Sequence, residues 1–253
     1  MNARRERAYK TNAIVLRGRN LGEADKIYTF FSEERGKLDA VAKGVRRAHS
    51  RLAGRLEFAS EAALTLHRGR SLDVITGAEI VRAHWAGIVA PSAFATAHVL
   101  IELVDAFCEP DLAMPDVYAL LRGALGAVGA ADDPAGLVPR FQARLLGALG
   151  FAPAASACVR CGAPFDAAPA WVDLEAGGLV CEACRPQNSR ELALAPADVS
   201  NFRALAAGTH GPIRPVALAS PAAARALDAF VSWHLGKRTK SGALLDDLAR
   251  PGR

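Results

Sequence analysis

Four cysteines in two pairs, Cys158-x-x-Cys161 and Cys181-x-x-Cys184, carry the clearest chemical signal in this chain. Nineteen residues separate the pairs, a spacing that suits a four-thiolate zinc site. Zinc takes tetrahedral ligands, and each Cys-x-x-Cys turn places two sulfurs on one side of the ion. Gly162, directly after the second thiol, lets the backbone fold back so that its N–H groups point at sulfur. Between the pairs, residues 171–175 and 179–180 read as two short strands around the Ala176-Gly177-Gly178 turn. Pair, hairpin, pair is the layout of a zinc ribbon or treble-clef knuckle. Four thiolates leave no open coordination position, so one structural zinc is expected and not a catalytic one. Two disulfides would require export, of which the sequence gives no sign. A thioredoxin-like redox pair would have to open a helix in a βαβ unit.

The second constellation is cationic. Arg35, Lys37, Lys43, Arg46, Arg47, Arg51 and Arg55 lie within one short stretch, with His49 among them, and Arg17, Arg19 and Lys26 extend it from neighbouring segments. Residues 1–70 carry 16 Lys and Arg against 8 Asp and Glu, while the other 183 residues carry 15 against 18. The positive field therefore belongs to the first third, which points to a polyanion, nucleic acid before membrane surface. Cations on a loop between strands can meet successive phosphates and release counterions. Tyr28 is the candidate for base stacking, although it could equally be core.

These residues need a scaffold. Residues 13–17, 26–31, 37–42, 58–66 and 72–81 read as strands with short punctuated turns, the fourth alternating with Phe58, Ser60, Ala62, Leu64 and Leu66 inward and Glu57, Glu61, Thr65 and His67 outward. Five strands in about seventy residues suit a small closed barrel, of which the OB-fold is the commonest five-stranded kind, with an SH3-like barrel as the alternative of nearly the same sequence texture. After Arg82 the period becomes helical. Ser92 reads as an N-cap before a stripe of Phe94, Ala97, Ile101, Val104 and Cys108, and a second helix begins near Asp116. A third follows Asp133-Pro134, starting nearer Val138 because of Pro139, and ends at Gly150. Pro196 opens a short helix, and Ser220-Pro221 opens a longer one closed by Gly236.

The expected fold is thus α+β and multidomain. A five-stranded OB-like barrel spans 1–82, a helical domain 83–154 and 191–253, and a four-cysteine zinc module is inserted at 155–190. At 253 residues and half apolar, the chain has material for a real core. No run of about 18 apolar residues exists, so no membrane span is expected, and cytosolic residence fits reduced thiols. Phosphate loops, nucleophile elbows and His-Glu-x-x-His helices are missing, as is any acid–base pair. A binding protein without turnover or small-molecule substrate is the reading that remains. A metal-dependent nucleic-acid hydrolase would need a carboxylate cluster.

The order of parts, with Gly22-Glu23-Ala24-Asp25-Lys26-Ile27, Gly36-Lys37-Leu38, Lys43-Gly44-Val45-Arg46-Arg47, the cysteine quartet and Trp233-His234-Leu235-Gly236-Lys237 followed by Lys240-Ser241, resembles the bacterial RecO recombination-mediator family. Glu57 stands where that family often has proline. The resemblance implies a DNA-repair protein of the bacterial cytoplasm and nucleoid. Such a protein binds single- and double-stranded DNA, anneals complementary strands, and with RecR helps load RecA on DNA coated by single-stranded-DNA-binding protein. It also implies a contact with the acidic tail of that coating protein through the helical region, where Lys237, Arg238 and Lys240 are the candidates. The rival reading is an RNA- or ribosome-associated protein with an OB barrel and a zinc ribbon.

Overall fold

The first strand, β1 (Ala8–Leu21), has fourteen residues around the buried run Ala13–Leu16 and is longer than the pattern at 13–17 predicts. The computed structural model describes residues 7–165, 168–185, 192–208, 213 and 220–242. After β1 come β2 (Asp25–Ser32), β3 (Gly36–Ala42), β4 (Ser60–His67) and β5 (Asp73–Ala83). They close into a barrel in the order β1-β2-β3-β5-β4, antiparallel apart from a short parallel seam where Ala40 and Val41 meet Asp73 and Val74. This is the OB-like architecture the strand pattern predicts. β1 is long because it serves two partners, β4 with its first half and β2 with its second, bending at a bulge between Val15 and Arg17. Inside the barrel Val15, Phe30, Leu38, Leu64, Leu66 and Ile75 form one core. Each such side chain contributes about 1.5–3 kcal/mol of transfer free energy.

Two helices, α1 (Pro91–Phe107) and α2 (Pro115–Val128), fold with the barrel into one compact unit, Met1–Ala130. Their presence changes how β2 must be read. Tyr28 and Phe30 face the interior, Ile27 and Phe31 face outward, and all four are buried. The Phe31 ring meets Tyr118 of α2 with centroids 6.5 Å apart. So both faces of this strand are core, and Tyr28, 5% exposed, is closed to base stacking. Three smaller expectations also fail. Ala90, not Ser92, is the N-cap of α1, since Pro91 occupies the first helical position, where its missing N–H costs nothing. Phe94 lies outside the buried stripe; it shares the less buried face of α1 with His98, Glu102 and Asp105, and the helix buries its small residues Ala93 and Ala97 while Phe94 stays half exposed. Phe58 precedes β4 because Ala59 turns the chain at φ 58°. Its ring stacks on His98, 4.0 Å between centroids, with Phe94 edge-on to the same imidazole.

The second unit, Ala131–Arg253, holds α3 (Leu137–Ala148), α4 (Pro196–Ala207) and α5 (Pro221–Leu235). Pro139 falls in the first turn of α3, where no N–H is required. Ser220 caps α5, its hydroxyl accepting from the Ala223 N–H at 2.9 Å, and Gly236 ends the helix in the left-handed conformation. Between α3 and α4 lies a small sheet of β6 (Ala170–Asp173), β7 (Gly178–Val180) and β8 (Ala193–Leu194), in the order β7-β6-β8. The sequence indicates β6 and β7 but not β8, whose two residues are too few to show a period. Among the described residues no helix is long and apolar enough to cross a membrane.

Candidate metal centre and nucleic-acid interface

The cysteine quartet is assembled by backbone. Cys158 donates its N–H to Ala163 O at 2.8 Å, and Gly162 returns its own N–H to Cys158 O at 2.8 Å. Gly162 manages this at φ +76°, which a side chain would resist. The second pair leaves β7 directly, in a 3-10 turn with Cys184 N–H on Cys181 O at 3.1 Å. Val159 N–H bonds Leu179 O at 2.9 Å, locking the first knuckle to the strand that delivers the second. Beneath them the Arg160 guanidinium pairs with buried Asp173 at 2.6 Å, and the same carboxylate accepts from Ala176 N–H in the β6–β7 turn at 3.0 Å. Burial alone would raise the Asp173 pKa. The Ala176 N–H and Arg160 outweigh it and hold the group below the usual carboxylate range.

All four sulfurs lie within 4.8 Å of one another, and Cys161 Sγ sits 3.7 Å from Cys181 Sγ. A tetrahedron with Zn–S bonds of about 2.3 Å has edges of about 3.8 Å, so the donor set fits a zinc-sized ion. Electrostatics agree. Burial pushes the Cys158 thiol up, but N–H donors from Cys181, Cys161 and Arg160 prevail and hold it at about 6. Cys184 is pushed up to about 12, first by its hydrogen bond to Cys161 and then by desolvation. One thiolate forms readily and further ones are resisted by crowding, a penalty that a divalent cation at the centre removes. Cys108 stands apart as the small core residue expected, 2% exposed. Among the described residues the quartet is the one group of three or more His, Cys, Asp or Glu side chains converging to metal-binding distance. The carboxylate cluster that a hydrolase needs is not among them.

The predicted cations separate into distinct groups. Lys43, Arg46, Arg47 and Arg51 are exposed on the loop between β3 and β4, held in shape by backbone. Gly44 N–H reaches Asp25 Oδ1 at 2.7 Å, Arg46 N–H reaches Ala24 O at 2.9 Å, and Arg46 Nη1 reaches Gly22 O at 3.1 Å. The loop thereby borders an open groove of about 430 Å³ whose wall carries Lys43, Arg47, His49 and Arg51. Arg55 is tied to Ala78 O at 2.8 Å. Lys26 lies 5.9 Å from the Tyr28 ring centroid, and Arg19 is exposed on β1. Arg17 and Lys37 differ from the rest, because both engage Asp105 of α1, at 2.7 and 3.5 Å, and much of their charge is cancelled. Arg35 is in neither set. It sits over the Tyr9 ring, 4.0 Å from its centroid, together with Arg68 at 5.1 Å. The sequence pattern missed Tyr9 and Arg68; only the β1–β4 register, Ala8 opposite His67, brings them together.

Two further groups complete the inventory. Lys237 and Lys240 are exposed after α5, and Arg238 pairs with Asp228 at 3.6 Å. Nearby on the same helix Trp233 is half exposed, and His234 packs against Phe151 with ring centroids 4.7 Å apart. The other feature missed is Glu61. Its place in the β4 alternation predicts an outward carboxylate, yet it is 2% exposed. Outward from the barrel means inward to the helices: Tyr118 OH donates to Glu61 Oε1 at 3.1 Å, and Arg122 Nε meets Oε2 at 3.2 Å, both from α2. His84 Nε2 lies 3.8 Å from the same oxygen.

A closed five-stranded basic barrel joined to a helical body with a four-thiolate knuckle defines the class of protein. Two family models divide the chain between them, Recombination protein O N terminal over residues 7–84 and Recombination protein O C terminal over residues 90–243. Relatives named DNA repair protein RecO align at length. That of Bifidobacterium longum subsp. infantis is 38% identical over 203 residues, 79% of this chain and 83% of its own. Those of a Nocardioides species and of Cutibacterium acnes are each 35% identical over 94% of this chain, covering 99% and 98% of their own lengths. The chain belongs to the RecO family.

Proposed function

We propose that this chain works in DNA repair as a binding protein without catalytic turnover, in the bacterial cytoplasm and at the nucleoid. It binds single- and double-stranded DNA through the barrel, anneals complementary strands, and with RecR helps load RecA on DNA coated by single-stranded-DNA-binding protein. The name carried by its relatives supports the repair role. The observation that carries the DNA-binding part is the exposed, backbone-braced loop with Lys43, Arg47 and Arg51 along one groove. Tyr28, Phe30 and Phe31 of the barrel are buried, and the partly buried Tyr9 has its ring covered by Arg35 and Arg68, so the surface offers phosphate contacts and little base stacking. Annealing follows from that imbalance: two strands lose their mutual repulsion while their base edges stay free to pair. Zinc on Cys158, Cys161, Cys181 and Cys184 is structural. Lys237, Arg238 and Lys240, beside Trp233, suit the acidic tail of the coating protein.

Reversing Lys43, Arg47 and Arg51 to Glu tests the loop, with Arg46 left in place because its side chain also holds Gly22. Three lost phosphate contacts should lower the log–log salt slope on single strands by about 2. Equilibrium binding at several salt concentrations reads this directly, and an unchanged slope moves the DNA site elsewhere. A purified protein that prefers RNA, or that leaves the annealing rate of complementary DNA strands unaltered, overturns the repair reading itself.

A further inference from the structure

Arg35 and Arg68 converge on one tyrosine, Tyr9 of β1, outside the loop that bears Lys43. Arg35 immediately precedes β3 and Lys43 immediately follows it, so the seven residues of that strand separate these two cations. At ~3.3 Å per residue this is more than 20 Å, about twice the ~10 Å over which 0.1 M salt screens charge.

The Tyr9 cluster is built, not merely charged. Tyr9 packs against the barrel core and donates its phenol hydrogen to Asp73 Oδ2 at 2.5 Å. Desolvation, then that hydrogen bond, pushes its pKa up to about 12, so the ring stays neutral beneath its cations. Arg68 N–H bonds Arg7 O at 2.8 Å, which fixes Arg7 beside Arg68, and Arg70 follows two residues later on the same exposed turn. Nearby acids are already occupied. Asp73 serves Tyr9 and the Gly69 N–H, and Glu34 accepts from the Thr11 hydroxyl. Among the described residues none of Arg7, Arg35, Arg68 and Arg70 has an ion-pair partner. A guanidinium held over an aromatic face is attracted through its plane and keeps its N–H donors for an anion that approaches from the side. Each such group offers its own planar fork of donors to phosphate oxygens, and here two of them are held at one fixed ring.

We propose that Arg35 and Arg68 over Tyr9, flanked by Arg7 and Arg70, form a second phosphate-binding site for a nucleic-acid backbone, separate from the Lys43–Arg51 groove, so that one barrel holds two backbone segments. The proposal rests on the DNA-binding reading above and adds a place and a number of sites to it. Arg35 then belongs with Arg68 and not with the loop cations that neighbour it in sequence.

The test compares the full-length protein with Arg35→Ala/Arg68→Ala, with the loop triple variant, and with the two combined, on a single-stranded oligonucleotide across a salt series. Loss of two contacts should lower the slope by about 1.4 on single strands, and the combined variant should show the sum of both reductions because the two sites share no residue. A second measurement counts bound segments: at saturation the wild type should bring two differently labelled, non-complementary oligonucleotides within energy-transfer range, and each single-site variant should not. Melting temperatures, and Arg35→Gln/Arg68→Gln as a milder replacement, separate site loss from unfolding. A wild type that binds DNA beside an alanine variant with unchanged slope and unchanged energy transfer overturns the second site and leaves the loop standing. A wild type that ignores DNA at low salt removes both.

Discussion

Stripping the metal from reduced, folded protein will unmake residues 154–185 and leave the barrel intact. The knuckle and its hairpin bury few apolar side chains of any size, chiefly Phe165, Trp171, Val172, Leu179 and Val180. A segment that small cannot offset its own chain entropy, which costs about 1.5 kcal/mol per ordered residue. The Arg160–Asp173 pair, its guanidinium facing solvent, adds little to this. Metal binding to such thiolate modules is worth about 10–16 kcal/mol, as much as the whole net stability of a typical domain, about 5–15 kcal/mol. A zinc ion held by the four thiolates would therefore be the majority term for this stretch. Hydrogen exchange read by mass spectrometry, before and after chelation, should show peptides from 154–185 losing protection while peptides of β1–β5 keep theirs. Cys158→Ser should behave like chelation, because Cys158 is the most buried of the four and its thiolate has the most backbone donors. Protection unchanged after chelation, or no metal in protein purified under reducing conditions, would defeat the claim.

Arg122→Ala should destabilise the first unit far more than Glu61→Gln. Glu61 is the buried partner, its side chain 3% exposed against 47% for Arg122. Removing the arginine leaves a carboxylate out of water with only Tyr118 and a neutral imidazole to face it, which costs about 3–5 kcal/mol. For a unit of this size that corresponds to a fall of roughly 10–20 °C in melting temperature. Glutamine at 61 keeps the volume and can still accept from Tyr118, while Arg122 turns to solvent, so the cost is about 1–2 kcal/mol. Thermal melts of the two variants decide the order, and the reverse order would mean that the pair is incidental. His84 gives the cluster its pH dependence. Burial pushes its pKa down to about 4, against an opposing pull from the Glu61 charge. The folded protein thus keeps this imidazole neutral where the unfolded chain would protonate it. Its contribution is whole above pH 6.5 and is lost as pH falls toward 4, about 3 kcal/mol across that window. Denaturant titrations at pH 7 and pH 4.5 should show the loss, and His84→Asn should remove most of it.

What could be read from residue order alone was whatever depends on near neighbours. The quartet declares itself because two turns and a hairpin fix four sulfurs locally. The strands of the barrel declare themselves because Gly and charged residues punctuate them, and Ser220, Pro221 and Gly236 bracket α5 in the same way. Glu61 was misplaced because the β4 alternation is sound, but its second face meets α2 instead of water. The same cover buries Phe31 and leaves β2 without a polar side. Phe94 misled for the opposite reason: it lies on the face of α1 that also carries His98, Glu102 and Asp105, and the phase of the stripe is set by what the helix packs against, not by the size of one ring. Arg35 and Arg68 stand 33 positions apart, and they meet at Tyr9 only because β1 pairs with β4 on one side and with β2, which runs into the Arg35 turn, on the other.

Gly36 opens β3 at φ +67°, and a methyl group there would overlap the carbonyl of Leu112. Alongside it Asp111 N–H bonds Lys37 O at 2.9 Å, and Lys37 Nζ reaches Asp105 O at 2.5 Å. The connection between α1 and α2 is stitched to the third strand at bonding distance. A fragment trimmed at residue 84, where the first family model stops, would tear out those stitches and lay Ile14, Leu16, Ile27 and Phe31 bare. The span of one family model and the piece in which the chain folds are different objects here, and a barrel cut free must take both helices with it.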